Sequence, residues 1–110
     1  MRKFLKRLQV EAQARQAIRR ATYREFIALF EKLEETFNIT DFNNPRQVVT
    51  LTELFDTSRK SAQSYQAKVS SMPFFDCFLV SGTYLVEQQH VRQLLTKLVK
   101  MLEVAVAKIP

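Results

Sequence analysis

The chain has 110 residues, 46% of them apolar, which is enough to bury one modest core. With one glycine and three prolines it lacks the turn residues that a sandwich or barrel needs at about every tenth position. Its net charge of +6 is unevenly spread, and that unevenness carries most of the functional information.

The composition predicts an all-α chain: a compact bundle of three to five helices forming a single domain over residues 1–110, with a long basic N-terminal helix. The first helix is expected from about residue 2 to residue 37, because no Gly or Pro interrupts it and Ala, Leu, Glu, Lys, Arg and Gln dominate. Its second half carries an apolar stripe, Tyr23, Phe26, Phe30, Leu33 and Phe37, with Leu29 beside it. Followed back at roughly 100° per residue, the same sector meets Arg19 and Arg15, so the core face turns basic. Ala12, Ala14, Ala17, Ile18 and Ala21 are small or scattered. The first half is therefore expected to project beyond the bundle as an exposed overhang or to pack closely against another protein.

A turn follows from Asn38 to Pro45, in which Asn44 can cap a second helix and Pro45 suits its first position. Val48, Leu51, Leu54, Phe55, Ala62, Tyr65 and Val69 keep a helical stripe to about residue 69, diluted by Ser58, Ser61 and Ser64. Ser70-Ser71-Met72-Pro73 is the next turn. Phe74 to Val86 is apolar on nearly every side and is the candidate central helix; a buried strand is the alternative, without a partner strand to pair with. Gly82 within it would mark a close helix approach. The last helix is expected from about Val91 to Ile109. Val91, Leu94, Leu95, Leu98, Leu102, Ala105 and Ile109 lie on its core side, and Arg92, Lys97, Lys100 and Lys108 on the other. The sequence leaves open whether Glu87 to His90 breaks or joins the last two helices.

Catalytic constellations are missing from the pattern, and the chain reads as a non-enzyme. His90 is the single histidine, with no orienting acid or nucleophile placed beside it, and reads as a surface or helix-junction residue. Cys77 sits among Phe74, Phe75, Phe78 and Leu79 and reads as a buried inert thiol. Glu31, Glu34 and Glu35 have no metal-binding spacing, and neither GxxxxGKS nor GxGxxG occurs, so no metal and no cofactor is expected. The lone thiol suits a reducing cytoplasm. The basic start Met1 to Arg7 is followed by Gln9, Glu11, Gln13, Arg15 and Gln16 rather than an apolar run, which argues against export. No apolar stretch approaches the roughly 20 residues of a membrane span, so no membrane partner is expected.

Divided along the chain, residues 1–24 carry +7, residues 25–56 carry −5, residues 57–75 carry +3 and residues 76–110 carry +1. Arg2, Lys6, Arg20 and Arg24 fall in one narrow sector of the ideal first helix, Arg15 and Arg19 form a second row, and Lys3 and Arg7 are further candidates. Arg59, Lys60 and Lys68 of the second helix, and Arg92, Lys97 and Lys100 of the last, complete the candidate nucleic-acid contacts. Such rows track phosphates, releasing counterions without reading bases, and arginine's planar fork matches phosphate oxygens. Basic helix faces are also commonly just solvated, or pair with an acidic protein. Tyr23 and Tyr65 are secondary candidates for base stacking.

The Arg15 to Arg24 stretch and the segment Phe74-Phe75-Asp76-Cys77-Phe78-Leu79-Val80-Ser81-Gly82-Thr83-Tyr84, on a short basic helical chain, resemble the small subunits of CRISPR effector complexes. The likeness is to type I systems in which that subunit is the C-terminal part of the large subunit, made from an internal start. It is a likeness of architecture, without a diagnostic motif that would assign residues. The resemblance implies copies stacked on one another and on other effector subunits along a crRNA-guided complex. There they would support the crRNA–target duplex region and the displaced single-stranded DNA, while base pairing reads the sequence. Two alternatives stand beside it: a helical adaptor or chaperone that sets its basic face on an acidic protein, and an accessory bundle of a mobile element.

Overall fold

The computed structural model describes residues 2–71 and 83–110, all helix apart from short turns and ends. Among them are three helices: α1 (Arg2–Ile39), α2 (Pro45–Ser70) and α3 (Thr83–Lys108). The expected helix breaks after residues 37 and 69 thus fall within two residues of the observed ends. Residues 72–82, which include Cys77, Gly82 and most of the proposed central helix, lie outside the described residues. Thr83 to Val86 belong to α3, which runs without interruption through Glu87 to His90.

The α1–α2 turn is built from its own side chains. Asn44 has extended backbone angles (φ −100°, ψ 108°), and its Oδ1 accepts the Arg46 amide at 3.1 Å. Pro45 stands at the first helical position, where no amide hydrogen is missed. Asp41 Oδ1 accepts the Asn43 amide at 3.0 Å, and Gln47 Oε1 reaches back to the Asp41 amide at 2.7 Å. Four residues are thereby locked into a reversal. α1 and α2 form an antiparallel hairpin, and α3 lies alongside α1 in the same direction, because Glu87, His90 and Lys97 meet Arg19, Tyr23 and Glu34 in that order.

The buried positions have a seven-residue repeat. On α1, Ala12, Arg19, Phe26 and Leu33 recur at that interval; on α2, Leu51, Phe55, Ser58, Ala62 and Tyr65 alternate four and three apart; on α3, Val91, Leu98 and Ala105 repeat. A repeat of this kind is the pattern of a seam between helices that pack at a shallow angle, knobs into holes. Burying Phe26, Phe30 and Leu33, each at most 1% exposed, contributes about 1.5–3 kcal/mol per side chain. Phe26 and Phe30 have ring centroids 6.0 Å apart, and Phe37 meets Phe42 edge-on at 6.0 Å where the hairpin turns.

Three expectations are corrected. Leu102 and Ile109, expected on the core side of the last helix, are 44% and 45% exposed. α3 carries two adjacent apolar stripes, and the one with Val91, Leu94, Leu98, Met101 and Ala105, with Leu95 beside it, packs into the core. Ser58, expected to dilute the α2 stripe, is a fully buried member of it. The molecule is also elongated rather than compact, 66 × 20 × 18 Å with a radius of gyration of 18.0 Å, against about 13 Å for a compact domain of this length. α1 alone is about 57 Å long.

Candidate nucleic-acid interface

Between Arg2 and Glu11 every α1 side chain except Leu8 is exposed, so the N-terminal turns project as expected. Arg2, Lys6, Arg20 and Arg24 are exposed on the face turned away from Phe26 and Leu33, with Lys3 at its edge. None of these five has an acidic partner among the described residues. From Arg2 to Arg24 the row extends over about 33 Å. Further along the same face come Glu31 and Glu35, also exposed, so the surface changes sign within one helix.

Arg19 departs from the expected exposed row. It is 2% exposed, and its Nε donates to Glu87 Oε1 at 3.0 Å, in an ion pair whose side chains are 3% and 12% exposed. Its guanidinium carbon lies 5.7 Å from the centre of the Tyr84 ring. The cause lies in register: Arg19 occupies the seam position seven residues before Phe26, so the residue that continues the core stripe is itself in the core. The sequence signal was present in that spacing, but the partner, Glu87, is 68 residues away. Arg15, four residues earlier, is half-buried.

Glu87 also accepts a hydrogen bond from the Tyr65 hydroxyl at 3.3 Å, and Tyr23 Oη lies 2.6 Å from His90 Nδ1. One polar cluster thus joins α1, α2 and α3. Burial raises the Tyr65 phenol well above its ordinary value, with the Glu87 charge and hydrogen bond acting in the same direction. Burial, then the Glu87 charge, likewise raises Tyr23. Tyr65 is fully buried and Tyr23 is half-buried against it at 5.9 Å between ring centroids, which corrects the expectation of rings free for base stacking. His90 lies within continuous helix, not at a helix junction.

The remaining candidates divide. Arg7 pairs with Glu11 at 3.3 Å; Arg59 and Lys60 both hold Asp56, at 2.8 and 3.0 Å. The hydrogen bonds from Arg59 and then Lys60 keep the Asp56 carboxyl below its ordinary value. Lys97 bridges to Glu34 at 2.7 Å and stands 6.0 Å from the Phe30 ring centre, tying α3 to α1. Arg92 and Lys100 are exposed on α3. Lys68 is half-buried and donates to Ser64 Oγ at 3.1 Å. It lines a cavity of about 100 Å³ together with Arg15, Ile18, Arg19 and Ser71, a convergence of three cations that no local pattern foretold.

Among the described residues, no group of three His, Cys, Asp or Glu side chains is placed to hold a metal ion, and no helix is long and apolar enough to cross a membrane. No protein-family model, curated protein or solved structure matches the chain.

Proposed function

We propose that this protein is a non-catalytic, cytoplasmic, sequence-independent nucleic-acid-binding subunit that lays the exposed face of α1 along a phosphate backbone. One observation carries the reading: Arg2, Lys6, Arg20 and Arg24 line up over about 33 Å, the rise of about ten base pairs, without acidic partners among the described residues. A rigid helix holds these charges at fixed intervals, so contacts to successive phosphates add without ordering a loop first. Contacts of such a row to phosphates are electrostatic and carry no sequence information. The assembly that the sequence resemblance implies is a crRNA-guided effector complex. In it the subunit would support the crRNA–target duplex and the displaced DNA strand, with further copies and other effector subunits as protein neighbours.

A second reading, a helical adaptor acting on an acidic protein, is favoured by the exposed apolar stripe Val99, Leu102, Val106 and Ile109 on α3. The two readings separate by salt and by nuclease. Fluorescence anisotropy with single-stranded and duplex DNA and RNA is expected to show binding that weakens steeply as salt rises and is lost on combined reversal of Arg2, Lys6, Arg20 and Arg24 to Glu. Absence of binding at low salt, together with a protein partner captured equally well after nuclease treatment, would establish the adaptor instead. Purification from the native host with a bound small RNA would tie the protein to a guided complex.

A further inference from the structure

We infer that the exposed face of α1 pairs with the same face of a second copy of this chain, the two helices running antiparallel about a two-fold axis between Ile27 and Ala28, whether or not nucleic acid is bound. Four charges in one row point to it: Arg20, Arg24, Glu31 and Glu35 are all exposed on the side of α1 turned away from Phe26 and Leu33. None of the four has an oppositely charged partner among the described residues. Their order adds a cost, because Arg20 and Arg24, and likewise Glu31 and Glu35, stand four residues apart, where like charges on a helix repel. A partner that sets carboxylates beside the arginines and arginines beside the carboxylates relieves both repulsions at once.

The spacing of the row selects that partner. Arg24 and Glu31 stand about 5 Å on either side of the point midway between Ile27 and Ala28, and Arg20 and Glu35 about 11 Å. A half-turn about that point brings Arg24 opposite Glu31 of the partner subunit and Arg20 opposite Glu35 of the partner subunit, and the reverse pairs follow by symmetry. One closed interface thus opposes every charge of the row with its opposite. Parallel helices offset so that Arg20 meets Glu31 and Arg24 meets Glu35 make only half as many ion pairs per contact and leave the rest of the row open. At the crossing point Ala28 is exposed and Ile27 half-buried. An alanine there allows the axes to approach to the short end of the usual helix spacing of about 8–10 Å, within reach of arginine and glutamate side chains.

Exposed ion pairs are individually weak and screened by salt, and one helix face is smaller than the interface of a permanent dimer. The pairing is therefore reversible, with a dissociation constant on the order of 100 μM at low salt. Because it covers Arg20 and Arg24, a second copy and a phosphate backbone compete for the same two arginines. Arg2 and Lys6, about 21 Å and more from Arg20 along the helix, remain beyond the overlap.

The test is sedimentation equilibrium of the full chain, freed of nucleic acid, so that its outcome is separate from that of the nucleic-acid reading. A monomer–dimer equilibrium is expected in about 0.1 M salt, weakening at least tenfold in about 1 M salt, where the Debye length falls from about 10 to about 3 Å. Two charge reversals, Arg20→Glu with Arg24→Glu and Glu31→Arg with Glu35→Arg, each place four like charges on the face, and each variant alone is expected to be monomeric. Mixed in equal amounts, they are expected to form a heterodimer at least as stable as the wild-type pair, because every opposed position then carries opposite charges. All four sites are exposed, so both variants are expected to keep the helix content of the wild type by circular dichroism. If a reversal does not fold, Arg24→Gln and Glu31→Gln decide the matter, each expected to weaken self-association about fivefold. A monomer at every concentration, self-association unchanged in the altered chains, a mixture that stays monomeric, or growth past the dimer overturns the antiparallel pairing.

Discussion

The two halves of α1 share one seven-residue repeat and use it for opposite chemistry. From Tyr23 to Phe37 the repeat is filled by aromatic and leucine side chains that enter the core with α2. From Ala12 to Arg19 the same line contains a methyl group and a guanidinium, both buried. Periodicity therefore locates the seam of a helix, while the helix across from it decides what the seam holds. A charge in the seam is tolerated here because Glu87, itself held by the Tyr65 hydroxyl, arrives from α3 at 3.0 Å, and because the Tyr84 ring lies 5.7 Å from the guanidinium carbon. One residue further on, Arg20 is exposed and bears no such constraint. Two adjacent arginines thus divide between holding the fold and facing solvent.

The strongest way to break this comparison is to truncate each half of the seam. Phe30→Ala is expected to cost about 3–5 kcal/mol through the cavity it leaves. Arg19→Ala is expected to cost a similar 3–5 kcal/mol, because Glu87 is stranded with little exposure. Urea unfolding followed by circular dichroism measures both, and an Arg19→Ala midpoint equal to wild type would mean that Arg19 does not belong to the core.

Replacing the pair by similar volumes without charge, Arg19→Met with Glu87→Gln, is expected to recover most of that loss, about 2–4 kcal/mol relative to Arg19→Ala. Failure to recover would show that Glu87 has a further role beyond balancing Arg19.

The α2 side of the seam offers a gain instead. Ser58 is fully buried and its hydroxyl has no partner, so Ser58→Ala is expected to stabilise by about 1 kcal/mol, read as a higher unfolding midpoint. Titration sharpens the same region. The folded-state Tyr65 phenol is raised above its ordinary value of 10.0, so the folded chain holds that proton more tightly than the unfolded one. Stability is therefore full below about pH 10 and falls as pH rises beyond it. Tyr65→Phe is expected to flatten the alkaline decline in melting temperature while losing about 1 kcal/mol at neutral pH from the missing Glu87 hydrogen bond.

The smallest stability effect belongs to the exposed row. Arg20→Ala and Arg24→Ala are each expected to change stability by less than about 0.5 kcal/mol. On duplex DNA each is expected to reduce the slope of log affinity against log salt by about 0.9 for every phosphate contact removed. Large unfolding shifts with no change in salt slope would place these arginines in the fold rather than at an interface.

Much of the secondary structure was legible because it is local. An uninterrupted run of good helix formers defines α1, Asn44-Pro45 announces α2 by its cap, and the spacing of Phe26, Phe30 and Leu33 marks the core face. The exposed row was legible for the same reason, since residues on one helix keep fixed angles to one another. The cation pocket was not legible, because Arg15, Arg19, Lys68 and Ser71 become neighbours only when two helices fold back on each other. The exposure of Leu102 and Ile109 escaped for a related reason: α3 has two apolar stripes, and its own sequence does not say which one a partner will cover.

The sequence by itself determined the helical class, the reversal at Asn44 and the polarity of charge, from +7 in the first 24 residues to −5 in the next 32. These depend on backbone propensities and on counting charges along the chain. Only the tertiary structure decided that Arg19 is an anchor and Arg20 a free cation, because burial and ion pairing are set by what stands across the seam. Glu87 stands there, 68 residues away, and its charge at 3.0 Å offsets part of the solvation that Arg19 gives up on entering the seam.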